Sequence, residues 1–529
     1  MKEKIKGNGK ALVITLICVI VGAVALLGVS GVIVANNLGW FANNSSEQSS
    51  TANGSAIGSI IGSDSNSSSD TTLDNTQNGS SNSSQNTGNQ EEGTTPDKDT
   101  ANGTPSFDSG YIPTTVTLTL HGTNAYGVTW QTAKLPTGSV VQVSKGSSFN
   151  EKSYTEFKAT VTEEQSYNAW GSSYSFYVSK AVIKGLEPGT TYTYRCYDKT
   201  SKMKGDSFSF KTKSKSSSFK FIHLSDTQVS AGDSQSPDGS GTGDFVANNT
   251  MLGISKNGFK PEFILHTGDI VEWSKYESYW DSMINTNKKY FAGMPVMALS
   301  GNHETTYRNG TSEIYKHFNY DIPSRFKQNV SKGFSYSYDY GNTKFIMLNT
   351  NNLVNNKLSD ADYNWLADTL KYNDKKWTIV SMHHPMYSVG SWGADPSKNA
   401  VSLSLREQLS DLFAQEGVDL VLQGHDHVYS NTYPIGVGGT VQTDYESETI
   451  KGVTYHKNPN GVIYAMHGPS GNQLRDENSN LESKYYEYHS GSGKASWAEI
   501  EVTDSLLTVK VYNYNAGQTK LAFSYGIKK

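Results

Sequence analysis

The sequence predicts an α/β layered sandwich preceded by an all-β sandwich, a disordered linker and an N-terminal transmembrane helix. Three observations carry this. Strand and helix signals alternate beyond about Phe219, which marks an α/β layered architecture. Short alternating runs broken by Gly, Pro and Ser fill Tyr111 to Thr212, which marks an all-β unit. Ahead of both stand an apolar run and a polar tract with no globular pattern. A length of 529 residues has room for two or three domains, and a net charge of −5 gives no case for a nucleic-acid partner.

Residues 1–10, "MKEKIKGNGK", place Lys2, Lys4, Lys6 and Lys10 before Ala11 to Ala35, which is uncharged and almost wholly apolar. That run exceeds a signal-peptide core of ~7–15 residues and reaches the ~20 needed to span a bilayer. Lysines on this flank keep the N-terminus cytoplasmic, so residues 11–35 are expected to be an anchor in the cell membrane. The remainder is then extracytoplasmic, or secreted if cleavage occurs near Val34-Ala35. The two cysteines, Cys18 and Cys196, cannot staple the fold, because Cys18 lies in the apolar run. Low cysteine usage points to a reducing compartment, and the N-terminal signal outweighs it. Residues 36–107 are Ser, Asn, Thr and Gly with scattered acids, too little apolar surface to offset chain entropy. The expectation is a solvated tether.

Residues 108–214 read as strands: "TTVTLTLHG", "AYGVTWQT", "SVVQVSKG", "SYSFYVSKAVIKGL" and "TYTYRCYD". "GLEPGTTYTYRC" resembles the corner segment of fibronectin type III domains, in which a tyrosine, here Tyr192 or Tyr194, closes the corner through its hydroxyl. No acid or histidine cluster appears there, so a spacer or positioning role is expected. "KTKSKSSS" then leads into residues 217–529. Apolar runs "FKFIHLS", "EFILHTG", "VMALSGN", "KFIMLNT", "WTIVSMH" and "DLVLQGH" recur there, with helical patterns such as "SDADYNWLADTLKYN" and "SLSLREQLSDLFAQEG" between them. Ser359-Asp360 and Gly417 suit helix caps. "SWAEIEVTDSLLTVKVYNYN" reads as a hairpin turning at Asp504-Ser505 that completes a sheet.

Five of the six apolar runs end in residues that bind metals. Asp226, Asp269, Asn302 with His303, His383, and His425 with His427 follow them in order. In open α/β sheets, sites gather beyond the carboxyl ends of strands, so these loops can converge. Two carboxylates, one amide and three imidazoles suit Zn, Fe or Mn, not a calcium cage or a thiolate site. Singly, each has an ordinary reading as a cap, a turn or a hydrogen-bonded histidine. Their ordered recurrence points to a metal centre.

Through "SDTQ", "GDIVE", "GNHE", "MHHP" and "GHDHVY", the stretch from Lys220 to about Pro434 resembles the calcineurin-like metallophosphoesterases. Within them it is similar to the purple acid phosphatases, which also carry a fibronectin-like domain ahead of the catalytic one. The resemblance implies two divalent or trivalent metal ions. Asp226 and His427 would bind the first, Asp269 would bridge, and Asn302, His383 and His425 would complete the second. His303 would contact the phosphate and protonate the leaving oxygen, with Glu304 orienting its imidazole. His383, two before the proline, takes the ligand position; His384 is expected to be outer-shell or packed. Two such cations neutralise phosphate charge and acidify a bridging water. The implied activity is phosphomonoester hydrolysis of the acid phosphatase kind by direct attack of a metal-bound hydroxide, with no phosphoenzyme.

Two departures matter. Gln228 stands where many of these enzymes have a histidine ligand, and Glu272 where purple acid phosphatases have the tyrosine that gives their colour. Gln228 and Glu272 are therefore expected to supply or support the missing ligand, and the tyrosinate charge-transfer band to be absent. The segment after "MHHP" lacks the family's extra histidines, leaving Tyr387, Trp392 or backbone amides for substrate contact. The rival readings are a phosphodiesterase or nucleotide hydrolase with the same centre, and a non-catalytic surface binding protein on this scaffold. The substrate partner is a phosphate ester and the membrane a partner of the N-terminal helix. Oligomeric state is not encoded in any motif.

Overall fold

The computed structural model describes residues 109–122, 124–167, 172–230, 243–305, 312–515 and 518–529. The expected anchor and tether lie outside these residues. Among the described residues, no helix is long and apolar enough to cross a membrane.

The six apolar runs all form strands, and they divide three and three between two sheets. Phe219–Leu224, Phe263–His266 and Val296–Ala298 run parallel in one sheet. Thr343–Leu348, Trp377–Met382 and Leu420–Gln423 run parallel in the other, followed by Ile463–His467. Their unbroken burial fits strands covered on both faces, which carry continuous apolar sequence instead of alternation. The tail strands extend the first sheet: Ser496–Val502 pairs antiparallel with Phe219–Leu224, Leu506–Asn515 and Gln518–Lys528 follow, each antiparallel to the last, and the first two form the expected hairpin.

Side-chain alternation decides what each face packs against. From one side of the first sheet, Phe221 and Phe263 stack 4.9 Å apart and meet Phe345 of the second edge-on at 5.4 and 5.5 Å. Ile463 and Ala465 join this inter-sheet core. Val380, Met382, Val421 and Met466 point the other way, onto Leu366, Leu370, Leu405, Leu409 and Phe413 of helices Asp360–Lys371 and Ala400–Gln415. Each such fully buried side chain contributes about 1.5–3 kcal/mol. The Ser359 hydroxyl accepts the Asp362 N–H at 3.2 Å, capping the first helix. Gly417, at φ +69°, ends the second.

The N-terminal sandwich has two four-stranded sheets. Three of its strands, Thr155–Lys158, Thr160–Tyr167 and Lys204–Lys211, go beyond the sequence expectation. They sit at sheet edges with largely exposed side chains, so no apolar alternation announces them. Tyr192 closes the corner, its hydroxyl accepting the Glu187 N–H at 3.0 Å. Tyr194 instead donates to the Ala292 carbonyl at 2.8 Å, across to the α/β layers. Gln131 reaches Glu277 at 2.6 Å and Lys180 the Phe318 carbonyl at 3.1 Å. One apolar core runs through both parts, as a positioning module requires.

Candidate metal centre

The strands end in turns that force their last residues into unusual backbone conformations. Asp226, Asp269, His425 and His427 have φ of 51°, 54°, 76° and 55°, and Gln228 has 41°. For residues other than glycine this left-handed region costs about 1–2 kcal/mol each. Clustering of such turns marks a functional site. Two glycines make the convergence possible. A Cβ on Gly301 would lie 2.0 Å from Asp269 Oδ1, and one on Gly424 would lie 2.5 Å from Ser225 Oγ.

The two sheets bring the strand ends to a common point. Ligating atoms of Asp269, His383 and His425 all lie within 4.8 Å of one another, as do those of Asp226, Asp269 and His427. Asp269 belongs to both groups. All five side chains are buried. Asn302 joins the first group, its Oδ1 2.9 Å from His383 Nε2.

His383 Nδ1 faces the Thr267 carbonyl at 2.9 Å and so carries the proton, which leaves a lone pair on Nε2 in the neutral ring. That nitrogen nevertheless faces Asn302 Oδ1, Asp269 Oδ2 at 3.2 Å and His425 Nδ1 at 3.2 Å. His427 repeats the arrangement. Its Nδ1 donates to the Gln473 carbonyl at 2.5 Å, and its buried Nε2, 3.3 Å from Asp226 Oδ1, has no hydrogen-bond partner. Converging acceptors without protons repel unless a cation lies among them. Burial drives His383 towards neutrality, but the carboxylates of Asp269 and Asp226 raise its pKa to about 9, so the field that would hold a cation here otherwise draws a proton onto Nε2. The residues present fit a pair of metal ions with mixed oxygen and nitrogen ligands.

The remaining sequence candidates fall into place around this centre. His303 is held by its Nδ1 on the Glu272 carbonyl at 2.7 Å, with Nε2 2.9 Å from Gln228 Nε2 and 3.9 Å from Asp269 Oδ2. Gln228 Oε1 is buried without a hydrogen-bond partner, the one oxygen of that side chain left to turn towards a cation. Glu272 belongs to neither group of converging donors. Its carboxylate accepts from Gln473 Nε2 at 2.7 Å, and burial raises its pKa.

Two expectations are corrected. Glu304 does not orient the His303 imidazole; the Glu272 main chain does. Glu304 is fully buried and accepts the N–H groups of Asp269 and Ile270 at 2.8 Å, Gly301 at 2.7 Å and Val271 at 3.3 Å, pinning the bridging loop. A buried carboxylate is satisfied best by this many main-chain donors. Tyr387 is no substrate contact, being buried with Arg406 stacked 4.2 Å from its ring. Trp392 does border the site, 5.0 Å from the His425 ring. His384 is packed there too, with Thr350 3.0 Å from its Nδ1. Its burial, and then the neighbouring His383, push its pKa down to about 3.

The sequence reading missed one wall. The loop after Ile463–His467 supplies the Gln473 contacts, and Arg475, whose Nη1 donates to the His425 carbonyl at 3.1 Å. Arg475 is half-buried, and no ion pair holds its guanidinium among the described residues. The signal was available: "GVIYAMHGPSGN" is a seventh apolar run ending in glycines and polar residues, the same pattern as the other six.

Comparison with known proteins adds to this geometry. Residues 219–429 match the family model described as calcineurin-like phosphoesterase, and residues 113–212 match that of the purple acid phosphatase N-terminal domain. Purple acid phosphatase 21 of Arabidopsis thaliana is 28% identical over 344 residues, covering 63% of this chain and 69% of the relative. "Probable inactive purple acid phosphatase 1" of the same plant is 27% identical over 332 residues, covering 57% of this chain and 50% of the relative. A purple acid phosphatase from yellow lupin (Lupinus luteus) seeds shares the fold, with a TM-score of 0.64 at 19% identity, over 79% of this chain and 74% of that one.

Proposed function

We propose, from the match of residues 219–429 to the calcineurin-like phosphoesterase family model and of residues 113–212 to that of the purple acid phosphatase N-terminal domain, that this protein hydrolyses phosphomonoesters at a dinuclear metal centre. The observation that carries the reading is Asp269, the one carboxylate shared by both groups of converging donors. Asp226 and His427 would hold the first ion, and Asn302, His383 and His425 the second. Bound there, a pair of cations neutralises phosphate charge and lowers the pKa of a water.

The chain's own residues do the rest. His303 N–H donates to Asp269 Oδ1 at 2.8 Å, which leaves Oδ2 as the oxygen facing the cluster. The Glu272 carbonyl fixes the His303 ring through Nδ1–H; in the neutral ring Nε2 accepts from the Gln228 amide, and protonation of His303 would place there the proton for the departing oxygen. Burial lowers the pKa of His303, but the charge of Asp269 and the Glu272 carbonyl outweigh it, so the net shift is upward. Arg475 places a fixed positive charge against the His425 main chain, suited to a phosphate oxygen.

With glutamate in place of the colour-giving tyrosine, the metal-loaded protein is expected to be colourless. A purple preparation refutes that. Metal analysis of the purified protein, paired with turnover of p-nitrophenyl phosphate against the bis-ester, tests the main reading. Preference for the bis-ester overturns the monoesterase assignment. Hydrolysis surviving His425→Ala overturns the site. The lysine-flanked run of residues 11–35 supports placing this chemistry outside the cell membrane, and protease accessibility of residues 108–529 on intact cells tests it.

A further inference from the structure

We propose that His223, His467 and Tyr525 are positioning residues for the first metal site, acting through Thr267 and Ser225 to hold the Asp226 carboxylate in its ligating orientation. The inference rests on the dinuclear reading above. It starts from three buried side chains for which the chemistry described so far has no use.

The contacts form one line. Ser225 Oγ is hydrogen-bonded to Asp226 Oδ2, Thr267 Oγ1 lies 2.8 Å from Ser225 Oγ, and His223 Nε2 lies 3.1 Å from Thr267 Oγ1. His223 Nδ1 then meets His467 Nδ1 at 2.8 Å, and His467 Nε2 meets the Tyr525 hydroxyl at 2.9 Å. Every member is buried. The line crosses the molecule: His223 lies one residue before the end of a strand of the first sheet, His467 ends a strand of the second, and Tyr525 lies on the C-terminal strand. It runs through the inter-sheet core, because His223 follows Phe219 and Phe221 on one face and His467 follows Ile463 and Ala465.

Each proton in the line is forced by the next. Ionised Asp226 only accepts, so Ser225 donates to it. The single Ser225 proton is then committed, so Thr267 donates to Ser225. The Thr267 proton is likewise committed, so His223 Nε2–H donates to Thr267. Burial holds His223 well below its ordinary pKa and takes His467 down to about 3, so both rings are neutral and carry one proton each. His223 Nδ1 therefore accepts from His467 Nδ1–H, and His467 Nε2 accepts from Tyr525. All donors point towards Asp226, and bonds in such a chain strengthen one another. The consequence falls on one oxygen. Ser225 adds a bond to Oδ2 alone; the His425 N–H reaches both oxygens, at 3.0 Å and 3.1 Å, and Oδ1 faces His427 Nε2 at 3.3 Å, where the first ion would bind.

The test is Zn(II) affinity of the metal-free full chain, measured by competition with a chromophoric chelator, for Tyr525→Phe, Thr267→Val and the double variant. Thr267→Val cuts the line beside the site and is expected to weaken the first site about 10- to 100-fold. Tyr525→Phe removes only the farthest proton, and about a 2- to 3-fold loss is expected. In the Thr267→Val background the tyrosine change should have no further effect, since the line is already cut. A purely structural tyrosine would shift thermal unfolding of the metal-free chain and weaken binding equally in both backgrounds. That equal loss, or an unchanged affinity in Tyr525→Phe, overturns the proposal while leaving the dinuclear reading intact. Should Thr267→Val not fold, Ser225→Ala makes the same cut one link nearer. An unmodified chain that takes up no Zn(II), Mn(II) or iron overturns both.

Discussion

Glu277→Gln isolates one buried proton at the junction between the sandwich and the α/β layers. Glu277 is only 5% exposed; its Oε1 accepts from Gln131 at 2.6 Å, and His317 Nδ1 lies 3.6 Å away. Burial, and then the charge of Asp281, raise its pKa from 4.5 to about 8 against the opposing Gln131 bond. The buried pair of Lys316 and Glu313, 2.5 Å apart, completes the surroundings. The folded chain thus keeps a proton that the unfolded chain gives up. Stability from this group is fully present below about pH 4.5 and is lost as pH rises through about 8. The rise from 4.5 to about 8, at ~1.4 kcal/mol per pH unit, amounts to roughly 5 kcal/mol over the whole window. Glutamine copies the protonated acid and keeps the acceptor for Gln131. Large chains unfold through intermediates, so the quantity to follow is the difference in urea midpoint between variant and parent at each pH. The two should nearly coincide at pH 4.5 and separate steadily to pH 8, the variant being the more stable. A difference that does not change with pH refutes the argument.

Other outcomes follow from the site. Asp269→Asn should lose both metal ions, whereas His427→Ala should keep one, as metal analysis of the purified variants would show. Glu304→Gln turns one acceptor oxygen into a donor facing two N–H groups, at a cost of about 3–6 kcal/mol. Denaturation should register it, and activity should fall although His303 is untouched. Arg475→Ala should raise KM more than it lowers kcat, because its charge serves the bound phosphate; a fall in kcat with KM unchanged contradicts that role.

Much of this architecture was legible in the chain, for a physical reason. Strand ends carrying Asp226, Asp269, Asn302, His383, His425 and His427 announce themselves because buried apolar runs stop abruptly at polar residues. What the chain concealed was anything set by packing between distant segments. That the six runs divide between two sheets depends on which strands pair, and parallel pairing leaves no local mark. Glu304 reads like a neighbour of His303, but it turns back onto the main chain because three N–H groups at 269–271 and that of Gly301 need an acceptor. Tyr387 sits in a suggestive stretch yet is claimed by Arg406 from a helix well downstream. His223 and His467 look like strand residues among others until alternation places both on the inter-sheet face.

The left-handed turns at Asp226, Asp269, His425 and His427 tie the durability of this protein to mineral supply. Each torsion is unfavourable by itself, and the attraction of a cation for the assembled donors is the force that offsets it. Chelation should therefore do more than silence the chemistry: these three turns should relax first, and hydrogen exchange at residues 226–228, 269–271 and 425–427 should quicken ahead of the rest. A chain built this way reports ion scarcity through its own loosening.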